Sequence, residues 1–167
     1  MRTQFRITSA LLSQIRKDLR RPHLFASERV GFISAGLAWS GSSVLILARN
    51  YHPVADEDYL DSTAVGAMMG PEAIRKAMEL GLLKRDAVFH VHSHGGRGVP
   101  AFSSIDRREH AKFVPDFLKV APQNIHGALV LSDCAGAGVI WTAGARAPER
   151  ISNFVEVGAP LRKWGMQ

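Results

Sequence analysis

The chain has 167 residues, 46% of them apolar and 22% charged, with a formal net charge of +6. That balance describes one globular domain over residues 1–167 with apolar material for its own core, and it excludes wholesale disorder. The single cysteine, Cys134, excludes an internal disulfide framework and a Cys-rich zinc module, and no apolar run approaches a membrane span.

The start of the chain carries no charged-then-apolar leader pattern, so a cytoplasmic protein without a membrane partner is expected. Its densest basic cluster, Arg16-Lys17-Asp18-Leu19-Arg20-Arg21, has no interleaved aromatics. It reads as a solvated helix face, not a nucleic-acid surface.

Taken in order, residues 4–8 alternate as a short strand. Ser9 is the expected N-cap of a helix with Leu11, Leu12, Ile15 and Leu19 at helical spacing. Residues 28–36 and 43–48 read as a hairpin around a turn at 39–42, and residues 50–54 continue in extended form. Residues 55–70 hold four acids and no clear period, which suggests a long loop of the kind that recognises substrate. Pro71 opens a helix through Ile74, Ala77, Met78 and Leu80, with Gly81 as its expected end. After a strand around residues 87–92 comes a helix over 106–118, with Phe113, Val114 and Phe117 on its apolar side and a kink at Pro115. Residues 127–131 and 138–142 read as strands flanking a turn at 132–137, and 151–157 as the last strand. Cys134 in that turn reads as a small buried residue. Strands gathered around two or three helices give an α/β or α+β domain, a mixed sheet flanked by helices.

The stretch that departs from ordinary core design is Phe89-His90-Val91-His92-Ser93-His94-Gly95-Gly96. Strand side chains repeat every two residues, so the three imidazoles share one face opposite Phe89 and Val91. Neutral imidazole and carboxylate are both good ligands for a borderline ion such as zinc. Asp106 stands at the expected helix start. Two histidines and one aspartate leave a fourth position for water, which is the catalytic arrangement. His90 reads as a supporting or packing residue. His110, one helical turn past Asp106, either orients it or faces solvent.

His92-Ser93-His94, Ser103-x-x-Asp106 and, upstream, Glu28-x-x-Gly31 together resemble the JAMM signature of MPN-domain metalloproteases, among them prokaryotic JAB-type, deubiquitinase-like isopeptidases. The resemblance spans residues 28–106 and the element order beyond. Eleven residues separate His94 from Asp106, one more than the family pattern, and Gly95 stands where that pattern has proline.

The resemblance implies an MPN-like, cytidine-deaminase-like fold and one zinc ion held by His92, His94 and Asp106. It implies Glu28 as general base and acid, and Ser103, with Ser104 as the alternative, as hydrogen-bond donor to the oxyanion. It also implies cleavage after the C-terminal glycine of a ubiquitin-like protein, from a conjugate or a precursor, in the setting of bacterial anti-phage operons. Two alternatives stand beside that reading. One is a non-catalytic MPN-type scaffold; the other is the same hydrolysis on a small sulfur-carrier protein or an ordinary peptide. Asp58 and Asp61, beside Tyr59, Leu60, Met68 and Met69, are candidate contacts for an arginine in an extended tail. Oligomeric state, a homodimer included, is left open by the sequence.

Overall fold

The structure, a computed structural model, describes residues 1–24, 26–61 and 66–164. Alternation buries Thr3, Phe5 and Ile7 along strand β1 (Arg2–Thr8). Thr8, one residue before the expected Ser9, caps helix α1 (Ser9–Leu19), its hydroxyl accepting the Leu11 N–H. Strands β2 (Val30–Ser40) and β3 (Ser43–Pro53) make one long hairpin closed by Gly41-Ser42, with Gly41 at φ 55°. The expected turn at 39–42 is therefore two residues shorter at its start, and the two extended stretches after it are a single strand. Glu28 precedes β2 instead of lying within it.

Helix α2 (Pro71–Lys84) runs past Gly81. That glycine serves packing and not termination: a Cβ there would lie 3.4 Å from the Ala121 Cβ and 3.7 Å from the His126 ring. Arg85, in the left-handed region at φ 54°, ends the helix instead. Strand β4 (Ala87–Ser93) follows, then helix α3 (Ser104–Val120), which continues through Pro115. Strands β5 (His126–Leu131), β6 (Gly136–Trp141), β7 (Glu149–Arg150), β8 (Asn153–Val157) and β9 (Arg162–Trp164) complete the chain.

Among the described residues these nine strands form one mixed sheet in the order β7-β6-β5-β4-β2-β3-β1-β8-β9. β1 runs parallel to β3 and β8, and β4 parallel to β5; the other pairs are antiparallel. The result is the expected mixed α+β architecture with helices on both faces of the sheet. Leu12, Ile15 and Leu19 of α1 pack in one core with Phe5, Ile33 and Phe89. Ala73 and Ala77 of α2, with Val114 and Phe117 of α3, form the other core against Phe32 and Val88. No helix of the described residues is long and apolar enough to cross a membrane.

The loop between β3 and α2 is more ordered than its composition suggests. Asp56–Asp58 form a 3-10 turn, and Tyr59 bridges Met69. Tyr59 is buried, and its hydroxyl accepts the Val30 N–H at 2.8 Å. Residues 62–65 of the expected loop lie outside the described residues.

Candidate metal centre

Strand β4 lies inside the sheet, where His92 is registered between Val30 of β2 and Val130 of β5. Its odd positions, Phe89 and Val91, belong to the α1 core, so the even positions His90 and His92 face α3. His94 is held just beyond the strand by its N–H, which donates to the Leu131 carbonyl at 3.0 Å. The chain then turns away through Gly95 and Gly96, both left-handed at φ 64° and 69°. Proline, fixed near φ −65°, is excluded at such a position.

The return path ends on the Ser103 N-cap of α3. Ser103 and Asp106 form a capping box: the Ser103 hydroxyl accepts the Asp106 N–H at 3.1 Å, and Asp106 Oδ2 accepts the Ser103 N–H at 2.7 Å. The Ser-x-x-Asp spacing is thus the device that fixes Asp106 at the third helical position with its carboxylate turned toward β4.

There the three side chains close a triangle. His92 Nε2 lies 3.1 Å from His94 Nε2 and 3.5 Å from Asp106 Oδ1, and His94 Nε2 lies 3.3 Å from Asp106 Oδ2. Each Nε2 carries at most one proton, so hydrogen bonds can satisfy at most two of these three sides. A cation at the centre satisfies all three at once. Zinc bound tetrahedrally at its usual ligand distances separates its ligand atoms by about 3.3 Å, the scale of these contacts, of which the two to Asp106 end on its two different oxygens. Burial opposes ionisation of Asp106, yet the hydrogen bond and charge of His92 and the Ser103 groups outweigh it and hold the carboxyl well below its usual range. The carboxylate is therefore ready to bind a cation.

Glu28 faces the same place from the other side. Its N–H donates to the Gly66 carbonyl at 2.9 Å, and its side chain lies so close over Gly66 that a Cβ there would sit 2.6 Å from the Glu28 Cδ. Glu28, Val30, His92, Asp106 and His110 share the lining of one cleft of about 80 Å³. Of the expected set, His92 and Asp106 line this cleft with Glu28, and His94 meets those two in the triangle outside the cleft lining.

His110 does not face solvent. It is buried, and its Nε2 lies 3.0 Å from His90 Nδ1. Burial, and then the neighbouring imidazole of His92, pushes His110 down to about 4. Burial likewise holds His90 well below its ordinary value, with His110 and His92 adding to the effect. Both rings are neutral at physiological pH. His90, His92 and His110 make a second set that could hold a metal ion, beside His92, His94 and Asp106. The sequence signal for it was the spacing of His110 four residues after Asp106, on the same helix face.

No protein-family model matches the chain, and no curated protein matches it. A solved structure similar to it is the N-terminal domain of STIL from Trichoplax adhaerens, at 13% identity and a TM-score of 0.39. That likeness covers 80% of this chain and 39% of the other, and it assigns neither a family nor an activity.

The remaining candidates lie apart from the triangle. Asp58 is buried against Lys76 of α2, with Nζ 2.7 Å from its Oδ2, so its carboxylate is already engaged within the fold. Asp61 is exposed at the edge of the described loop. Ser104 is the first residue of α3, exposed beside the Ser103 cap. Cys134 is exposed, not buried, between the buried Ser132 and Ala135; its Sγ accepts the Gly98 N–H at 3.4 Å.

Proposed function

We propose that this chain is a zinc-dependent peptidase of the MPN/JAMM type that hydrolyses the peptide or isopeptide bond after the C-terminal glycine of a ubiquitin-like protein. The observation that carries the proposal is the triangle of His92, His94 and Asp106, with Glu28 on the wall of the cleft that His92 and Asp106 line. Its contacts are on the scale of ligand separations around a tetrahedral ion, and the residue types follow the order of the JAMM signature. A scaffold that only docks a partner has no need of two imidazole nitrogens and a carboxylate converging within hydrogen-bond range. The MPN-like, cytidine-deaminase-like frame, the cytoplasmic setting and a role in bacterial anti-phage ubiquitin-like conjugation belong to the same proposal.

A zinc ion held by His92, His94 and Asp106 would supply Lewis acidity toward the scissile carbonyl and the attacking water. Glu28 then takes the proton of that water on a carboxylate oxygen and delivers it to the leaving amine nitrogen. The Ser103 oxygen accepts the Asp106 N–H, which leaves its own O–H proton to donate to the carbonyl oxygen as negative charge develops. An extended tail suits such a narrow cleft, since small glycine residues can enter it while the rest of the tail lies along the surface.

The test is cleavage of a ubiquitin-like protein joined through its terminal glycine to a lysine side chain. Zinc-loaded protein should release the lysine, and Glu28→Ala should keep metal and fold while losing about a hundredfold or more in turnover. Undiminished turnover in Glu28→Ala, or an intact conjugate after prolonged incubation with zinc-loaded protein, would overturn the reading.

A further inference from the structure

We propose that His90, His92 and His110 hold a metal ion of their own beside the catalytic one, with His92 serving both ions through its two ring nitrogens. The three rings are 5%, 2% and 3% exposed, and one nitrogen of each lies within 4.8 Å of the others. His92 Nε2 is turned to His94 and Asp106. That leaves Nδ1, which is buried without a hydrogen-bond partner, as is Nε2 of His90. Native interiors seldom leave buried polar nitrogens in that state. A metal-bound histidine ordinarily passes its second nitrogen to a carboxylate, carbonyl or water. Among the described residues no carboxylate or carbonyl pairs with His92 Nδ1, and a second cation is what that nitrogen fits.

The surroundings agree. Phe32 and Phe113 stand 5.6 and 5.4 Å from the His90 ring, and Phe102 stands 5.2 Å from His110. These apolar walls offer no competing hydrogen-bond acceptor. Neutral imidazoles bring no charge, but Glu28, Asp106 and Glu109 line the cleft onto which His90, His92 and His110 open. Those carboxylates balance added cationic charge. An all-imidazole set selects zinc, copper or nickel over magnesium or calcium. Bound there, the ion ties α3 to β4 and fixes the His92 ring on which the catalytic site depends.

The inference rests on the catalytic site for one end of His92. A ring that gives both nitrogens to metal sheds its N–H proton to solvent, and the freed lone pair makes the second bond. Occupying the second position therefore releases one proton.

Zinc alone, titrated into metal-free protein at pH 8 in two buffers of different protonation enthalpy, tests this. Two equivalents are expected, with about one proton released by the second. His110→Gln and His90→Gln should bind one equivalent, and Asp106→Ala should lose the other. One equivalent in the unaltered protein, unchanged in His110→Gln and lost in Asp106→Ala, would overturn the inference and leave the catalytic site standing. One equivalent lost in His110→Gln but kept in Asp106→Ala would instead keep the histidine trio and overturn the catalytic site. The titration and proton count on unaltered protein decide the matter even where a histidine variant fails to fold.

Discussion

On the α1 side of the sheet, β4 presents Phe89 and Val91 to Phe5, Ile33 and Leu129; on the α3 side the same strand presents His90 and His92. The first face is closed and apolar, with the Phe5 and Phe89 rings edge to face at 5.3 Å. Burying a side chain of that kind stabilises a fold by about 1.5–3 kcal/mol. The second face forgoes that gain and places two buried imidazoles beside a carboxylate, each ring with an unpartnered nitrogen. One strand thus divides its alternate positions between holding the fold and holding ligand atoms.

The widest separation of the two faces comes from changing each alone. Replacing His92 and His94 together with Ala should abolish zinc binding and turnover while leaving a cooperatively folded protein. Metal analysis by mass spectrometry checks it, and full zinc retention would break the assignment of the α3 face. Phe89→Ala should do the reverse. It should cost about 3–5 kcal/mol in denaturant unfolding and leave zinc per folded molecule unchanged. A Phe89 variant that folds normally but loses zinc would mean that the two faces are not independent.

His126 sharpens the contrast from within the α3 side. Its Nδ1 accepts the Val88 N–H at 3.1 Å and its Nε2 donates to the Ala121 carbonyl at 3.1 Å, so both nitrogens are used. Burial pushes it down to about 4, partly offset by the Ala121 carbonyl. The folded pKa lies below the unfolded one, near 6.5, so the stabilisation is complete above pH 6.5 and is lost as pH falls toward 4. The loss amounts to about 3 kcal/mol. His126→Gln keeps a donor and an acceptor without titrating. Stability measured from pH 7.5 to 4 should therefore fall less steeply in the variant, and an equal fall would show that His126 is not the group held neutral.

The alternation of residues 87–93 made both faces of β4 legible, because a period of two assigns each side chain without tertiary knowledge. Ser103-x-x-Asp106 was read only through the resemblance, with the helix begun at Asp106, although a capping box is complete within four residues and is local information. What failed to show in sequence depended on distant contacts. β7 and β9 are two and three residues long, too short for any period. Gly81 has the local look of a helix stop, and only the approach of Ala121 and His126 explains it. The His90–His110 contact joins residues twenty apart through helix–sheet packing.

The smallest expected effect applies the same contrast to the two acids of the β3–α2 loop. Asp58 is 6% exposed in its side chain and paired with Lys76, and its backbone carbonyl accepts the Gly70 N–H at 2.7 Å. It belongs to the fold. Asp61 is exposed. An arginine of an extended tail could therefore engage Asp61, whereas Asp58 would first have to give up its lysine. Asp61→Asn should raise KM for a tail-bearing ubiquitin-like substrate by roughly threefold, the scale of one exposed ion pair. It should leave kcat and the cleavage of a short peptide unchanged. Added salt should reproduce the effect in the unaltered protein, because exposed pairs are screened. Asp58→Asn should instead lower the unfolding midpoint slightly and leave both KM values alone. Equal KM changes from the two variants would show that the loop does not divide as its burial suggests, and no change from either would remove it from recognition.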